Sequence, residues 1–61
     1  MKRSDLLRHL RDQKCELVRE GSRHSIWQNA RSGQLTAIPR HSEIKDLMAR
    51  KICKDLEIDP P

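Results

Sequence analysis

The chain has 61 residues, with 13 Lys and Arg against 9 Asp and Glu, a formal net charge of +4, and Trp27 as its one aromatic residue. This length allows one domain, 1–61, which buries only about 60% of the surface that the unfolded chain exposes. Two cysteines, Cys15 and Cys53, are too few for a secreted disulfide scaffold and lack the spacing of a structural zinc site. We therefore expect two reduced, packed thiols and a protein partner that supports a small core.

The residues after Met1 are charged, so the chain does not begin with the apolar run of a signal peptide. No segment approaches the length of a membrane span. We expect a cytoplasmic protein without membrane contact. The positive charge fits nucleic acid as a partner, and it fits an acidic protein equally well.

The first predicted element is a short helix over residues 5–13. Ser4 is a suitable N-cap, and Leu6, Leu7 and Leu10 recur at helical spacing. Such a short helix is marginal alone, so its leucine face needs a cover.

Three strands are predicted to follow, over residues 15–19, 24–29 and 35–38, with turns at 20–22 and 29–33. Cys15 and Leu17 can share one face of the first strand, and Pro39 ends the third. Trp27 is either a core residue, a partner contact or a platform for a stacked base.

The last predicted element is a helix over residues 43–56 with Ser42 as its N-cap. Its apolar positions have helical spacing, and its other side is basic, with Lys45, Arg50 and Lys54. The order helix, three strands, helix predicts an α+β fold of the double-stranded-RNA-binding-domain type (α-β-β-β-α). We expect a three-stranded antiparallel sheet with both helices on one face.

The predicted hairpins bring basic residues together at the start of the middle strand. If strands two and three pair around the 29–33 turn, His24 lies opposite Pro39. If strands one and two pair around residues 20–23, Arg19 lies beside His24. The residues expected to converge at this corner are Arg19, Arg23, His24, Arg40 and His41.

This corner suits RNA cleavage by the substrate's own 2′-hydroxyl group. Histidine can act as the acid or the base near neutral pH, and arginine binds phosphate with a two-pronged fork. Apart from Glu20 the corner has almost no carboxylates, which argues against a magnesium nuclease, so we expect no metal and no cofactor. Other interpretations stay open: a turn histidine is more often solvated, His41 can simply precede the helix, and the arginines can be solvated charges.

At these residues the sequence resembles the HicA-type toxins, small mRNA-cleaving toxins of toxin–antitoxin pairs. Gly21-Ser22-Arg23-His24 is similar to the family's Gly-Ser-x-His turn. Residues 4–7, 17–19, 37–41, 43–45 and 52–56 are similar to its other conserved segments, in order, so the resemblance spans about residues 4–58. The chain departs from it at Lys14 and Glu57, where the family often has glycine, and at Cys15, where it has an aromatic residue.

The resemblance implies a metal-independent endoribonuclease (an mRNA interferase) that arrests growth under stress, with His24 as its catalytic residue. It also implies a HicB-type antitoxin that binds the toxin and covers this histidine. Contacts to RNA phosphates are our own expectation and are not implied by the family. They are expected from Arg19, Ser22, Arg23, Arg40 and His41 at the corner, and from Lys45 on the basic side of the second helix. Two alternatives remain: a non-catalytic RNA-binding module of the same fold, and an interaction protein whose basic faces bind an acidic partner.

Overall fold

The computed structural model describes all 61 residues and shows two helices and one sheet. The elements are α1 (Arg3–Asp12), β1 (Cys15–Glu20), β2 (His24–Asn29), β3 (Leu35–Pro39) and α2 (Asp46–Asp55). The sheet is antiparallel with β2 between β1 and β3. The predicted α-β-β-β-α fold of the double-stranded-RNA-binding type is confirmed. No helix is both long and apolar enough to cross a membrane.

Both helices pack on the same face of the sheet, as expected. In β2 the side chains alternate, so that Ser25, Trp27 and Asn29 are buried while His24 is exposed on the open face. The core consists of Leu6, Leu7, Leu10, Cys15, Trp27, Ile38, Ile44, Ala49, Ile52, Cys53 and Leu56.

The two cysteines are free and buried, which confirms the expectation of packed thiols. Burial raises the pKa of both thiols, because a thiolate is poorly solvated in the core. The neighbouring Cys15 thiol adds to this effect on the pKa of Cys53.

Trp27 is a core residue, with only 3% of its surface exposed. Its ring is therefore not free to stack on a base. The guanidinium group of Arg11 lies 5.5 Å from the ring centroid, within the range of a cation–π contact. The indole Nε1 is buried without a hydrogen-bond partner.

The predicted caps at Ser4 and Ser42 are wrong. The residues before the helices are Lys2 and Lys45, both with extended backbones and without a capping side chain. Helix α2 begins at Asp46 instead of 43, because the preceding segment is bonded to the start of the chain. The Arg3 amide donates to the Ser42 carbonyl at 2.8 Å.

Ile44 explains why the second helix was predicted too long. Its amide donates to the Met1 carbonyl at 2.7 Å, and its side chain is 2% exposed. Ile44 reaches the core from an extended segment. Its spacing to the apolar residues of α2 is nevertheless that of a helix, so the sequence predicted an additional turn at the N-terminal end.

Two non-glycine residues have a left-handed backbone conformation: Lys14, with φ 68°, and Glu57, with φ 58°. These are the two positions where the resembling family often has glycine. They follow the ends of α1 and α2, where a left-handed residue commonly terminates a helix. A side chain in this conformation costs about 1 kcal/mol or more.

We predict that Lys14→Gly or Glu57→Gly raises the free energy of unfolding by up to about 1 kcal/mol, because the relief of strain exceeds the entropy that glycine adds to the unfolded chain. Chemical denaturation measures the effect. Lys51→Gly, inside α2, is the control and should destabilise by about 1 kcal/mol. Equal destabilisation by all three substitutions would contradict the prediction.

Candidate functional site

His24 begins β2 directly after a tight loop. The Gly21 amide donates to the His24 carbonyl at 2.8 Å, and Ser22 and Arg23 form the exposed loop between them. Across the sheet His24 pairs with Pro39, as the register predicted. His24 therefore stands at the end of the central strand, and its side chain is exposed.

Gly21 is needed for the close approach of two backbone segments. A Cβ atom at this position would lie 2.8 Å from the His24 carbonyl oxygen, closer than real Cβ contacts. Arg40 fixes the same loop from the side of β3: its Nη1 donates to the Gly21 carbonyl at 2.9 Å, and its amide donates to the Arg23 carbonyl at 3.2 Å. The Glu20 carboxylate lies 3.5 Å from the Arg40 Nη1.

The residue after His24 is held by a half-buried polar cluster, which we call the Ser25 clamp (Arg3, Glu20, Ser25 and the Pro39 carbonyl). Arg3 donates from Nη2 to Ser25 Oγ at 2.7 Å and from Nε to the Pro39 carbonyl at 2.9 Å. The Ser25 hydroxyl donates to Glu20. The clamp joins α1, β1, β2 and β3 next to His24, and so it fixes the strand end that carries the imidazole.

An open cleft of about 380 Å³ lies beside His24, and we call it the histidine cleft. It contains three of the residues that the sequence singled out: His24, His41 and Lys45. Its other lining residues are Pro39, Glu43, Ile44 and Met48. Two imidazoles and an ammonium group thus share one concave surface at the N-terminal end of α2.

The other predicted phosphate ligands do not line this cleft. Ser22 and Arg23 are exposed in the loop, and Arg40 lies on the opposite side of its segment. The predicted pairing of Arg19 with His24 is wrong. The Gly21 amide bonds to the His24 carbonyl, so the loop is centred one residue later than predicted and Arg19 pairs with Ile26. A bulge between Leu17 and Arg19 then shifts the register of the rest of β1.

Carboxylates are less scarce at this corner than expected. Glu43 lines the histidine cleft, where its Oε1 accepts a hydrogen bond from the Met1 amine at 3.0 Å. This hydrogen bond raises the pKa of the amine. No three His, Cys, Asp or Glu side chains are arranged to hold a metal ion.

Sequence reasoning missed Arg3 and Ser25. Arg3 reads as one charge in a basic N-terminal run, and its role depends on a contact with Pro39, 36 residues away. Ser25 did offer a signal: a polar residue at an inward-facing strand position requires a partner.

A protein-family model described as the HicA toxin of bacterial toxin–antitoxin systems matches residues 3–58 of the chain. No curated protein and no solved structure matches it. The matched range includes the loop before His24, the histidine cleft and both helices.

We predict that Gly21→Ala lowers the free energy of unfolding by about 1–3 kcal/mol, because the added Cβ forces the loop away from the His24 carbonyl. Ser22→Ala, in the exposed loop, is the control and should change stability by less than about 0.5 kcal/mol. Chemical denaturation of both variants measures the difference. Equal stabilities would show that the close approach is unimportant.

Proposed function

Because this chain belongs to the HicA toxin family of bacterial toxin–antitoxin systems, we propose that it is a metal-independent endoribonuclease that cleaves mRNA in the cytoplasm and thereby arrests translation and growth. The observation that carries the proposal is the histidine cleft, in which His24, His41 and Lys45 face one space. Each of these residue types has a defined task in phosphodiester cleavage.

In the proposed reaction the RNA supplies its own nucleophile. His24 accepts the proton of a 2′-hydroxyl, and the oxygen attacks the adjacent phosphorus. The bond from phosphorus to the 5′-oxygen breaks, and that oxygen takes a proton from an acid. The products are a 2′,3′-cyclic phosphate and a 5′-hydroxyl. Since no water or hydroxide attacks, this step needs no metal ion.

His41 is proposed as the second proton-transfer group, because it lines the same cleft as His24. If His24 is the base, His41 is the acid that protonates the leaving oxygen. Lys45 is proposed to neutralise the phosphate oxygens as charge develops, supported by the positive end of the α2 dipole. Arg19, Ser22 and Arg23 lie outside the cleft and are proposed to contact the flanking RNA.

We predict that His24→Ala lowers the rate of RNA cleavage by roughly 10²–10⁴-fold, since one acid or base group contributes about that much. Cleavage by the wild type should continue in excess chelator. The assay follows a labelled RNA and identifies the cyclic phosphate end. His41→Ala in the same assay should give a smaller but measurable loss.

His9→Ala is the matched control, because His9 lies on α1 and its Nε2 bonds to the Asp59 carbonyl at 2.8 Å. It should cleave RNA at the wild-type rate. A folded His24→Ala variant that still cleaves would refute the catalytic role. A wild type that binds RNA and never cleaves it would support the alternative, a non-catalytic RNA-binding module.

We also propose that a HicB-type antitoxin docks beside the histidine cleft and covers His24. What supports this proposal is exposed apolar surface: Leu47 is 79% exposed and Met48, which lines the cleft, is 42% exposed. Two neighbouring exposed apolar side chains, one of which lines the cleft, are suited to a surface that a partner buries.

We predict that Leu47→Asp weakens binding of the antitoxin by roughly tenfold or more, as expected when a charge enters an apolar interface. Fold stability should stay within about 0.5 kcal/mol, because Leu47 makes little contact with the chain. Leu35→Asp makes the same change at the opposite end of the sheet, where Leu35 is 54% exposed. Equal affinities of the two variants would contradict the docking site; titration calorimetry measures them.

A further inference from the structure

A second concave surface, which we call the arginine groove, lies on the other side of the chain segment that borders the histidine cleft. It has a volume of about 390 Å³ and contains three arginines and no carboxylate. Its lining residues are Arg3, Ser4, Leu7, Arg11, Arg40 and Ser42. Of these, only Arg40 was expected to contact phosphate.

Arg3 presents a fixed guanidinium group in this groove. Its Nε and Nη2 are bonded to the Pro39 carbonyl and the Ser25 hydroxyl, which are both uncharged. A guanidinium has five N–H donors, so three remain after these two bonds. None of the ion pairs in the chain includes Arg3. The group is thus held in place and half-buried. The one carboxylate in its network, Glu20, is bonded to the same Ser25 hydroxyl and makes no direct ion pair with Arg3.

Arg11 adds a charge that takes part in no ion pair. Its guanidinium lies over the Trp27 ring at 5.5 Å from the centroid, and no carboxylate pairs with it. Arg40 differs, because Glu20 lies 3.5 Å away from it. Ser4 and Ser42 add hydroxyl donors to the lining. Rigid guanidinium forks with hydroxyls suit the oxygens of a phosphate group.

The groove and the histidine cleft are two sides of one wall. Pro39, His41 and Glu43 line the histidine cleft, while Arg40 and Ser42 line the arginine groove. Alternate residues of a single extended segment therefore face the two surfaces. A nucleic acid strand that lies in the histidine cleft can cross this segment and reach the groove.

We propose that the arginine groove binds a non-scissile phosphate of the same RNA strand whose scissile phosphate lies in the histidine cleft. This inference rests on the proposed ribonuclease function. RNA is favoured over an acidic protein as the occupant because the groove shares its wall with the histidine cleft. The groove then acts in holding the strand, and it takes no part in proton transfer.

The test measures binding of a short single-stranded RNA to the full chain carrying His24→Ala, at several salt concentrations. Arg11→Gln and Arg11→Met are added to this background; methionine keeps an apolar cover on Trp27. For single strands, log K changes with log salt by about −0.7 per phosphate contacted. We expect either Arg11 variant to make the slope of log K against log salt less negative by about 0.7. Either variant should also weaken RNA binding several-fold. Thermal unfolding verifies that the variants are folded.

Arg31→Gln and Arg31→Met are the matched controls, because Arg31 is an exposed arginine in the turn after β2, at the end of the strand opposite to His24. They should leave the slope unchanged. With His24 intact, Arg11→Gln should raise KM with little effect on kcat, since a non-scissile contact is the same in the ground and transition states.

The outcomes separate this inference from the proposed function. If the wild type cleaves RNA and the Arg11 and Arg31 variants show the same dependence of log K on log salt, the proposed role of the groove is refuted and the proposed ribonuclease activity stands. If the wild type does not cleave RNA, but the salt dependence of RNA binding still changes with Arg11, the ribonuclease function is refuted and the groove remains a phosphate-binding site. A glutamate-rich peptide whose binding depends on Arg11, while RNA binding does not, would assign the groove to an acidic protein and overturn the inference.

Discussion

The histidine end of the molecule depends on one guanidinium group, that of Arg3. It belongs to the first turn of α1, yet it bonds to Ser25 in β2 and to the carbonyl of Pro39 at the end of β3. Ser25 is fully buried and keeps only Glu20 as a partner if Arg3 is lost. Loss of Arg3 removes the donor to the Ser25 hydroxyl and to the Pro39 carbonyl, at a cost of about 1–3 kcal/mol. The hydrogen bonds that position His24 therefore also contribute to the free energy of unfolding.

Buried hydrogen bonds matter in this chain because its hydrophobic core is small and has a single aromatic residue. Strand β2 has Trp27 in the middle of its buried face and a polar residue near each end. At the far end, Asn29 donates to the Leu56 carbonyl at 2.7 Å and accepts from the Arg31 amide at 2.8 Å. A one-residue slip of β2 would turn Trp27 and both polar side chains to the open face, so the two polar ends add to the register that burial of Trp27 already specifies.

What the sequence could reveal was local. The bounds of β2 and its pairing with β3 followed from alternation and from the turn containing Gly33, and the structure agrees with both. The pairing of β1 with β2 was wrong, because the loop closes between Gly21 and His24, one residue later than the turn residues indicated. The bulge between Leu17 and Arg19 also leaves no mark in the alternation. Arg3 could not be identified at all, since nothing near it in the sequence distinguishes a clamped guanidinium from a solvated one.

The misplaced start of α2 is connected with the site itself. Had the helix begun at residue 43, Glu43 and Lys45 would have followed a helical path instead of an extended one. The bonds from Met1 and Arg3 to the segment before α2 keep it extended up to Lys45. Earlier in the same extended segment, His41 lines the histidine cleft and Ser42 lines the arginine groove. Local capping signals favoured a longer helix. Hydrogen bonds to the start of the chain overrode them and kept this segment extended between the histidine cleft and the arginine groove.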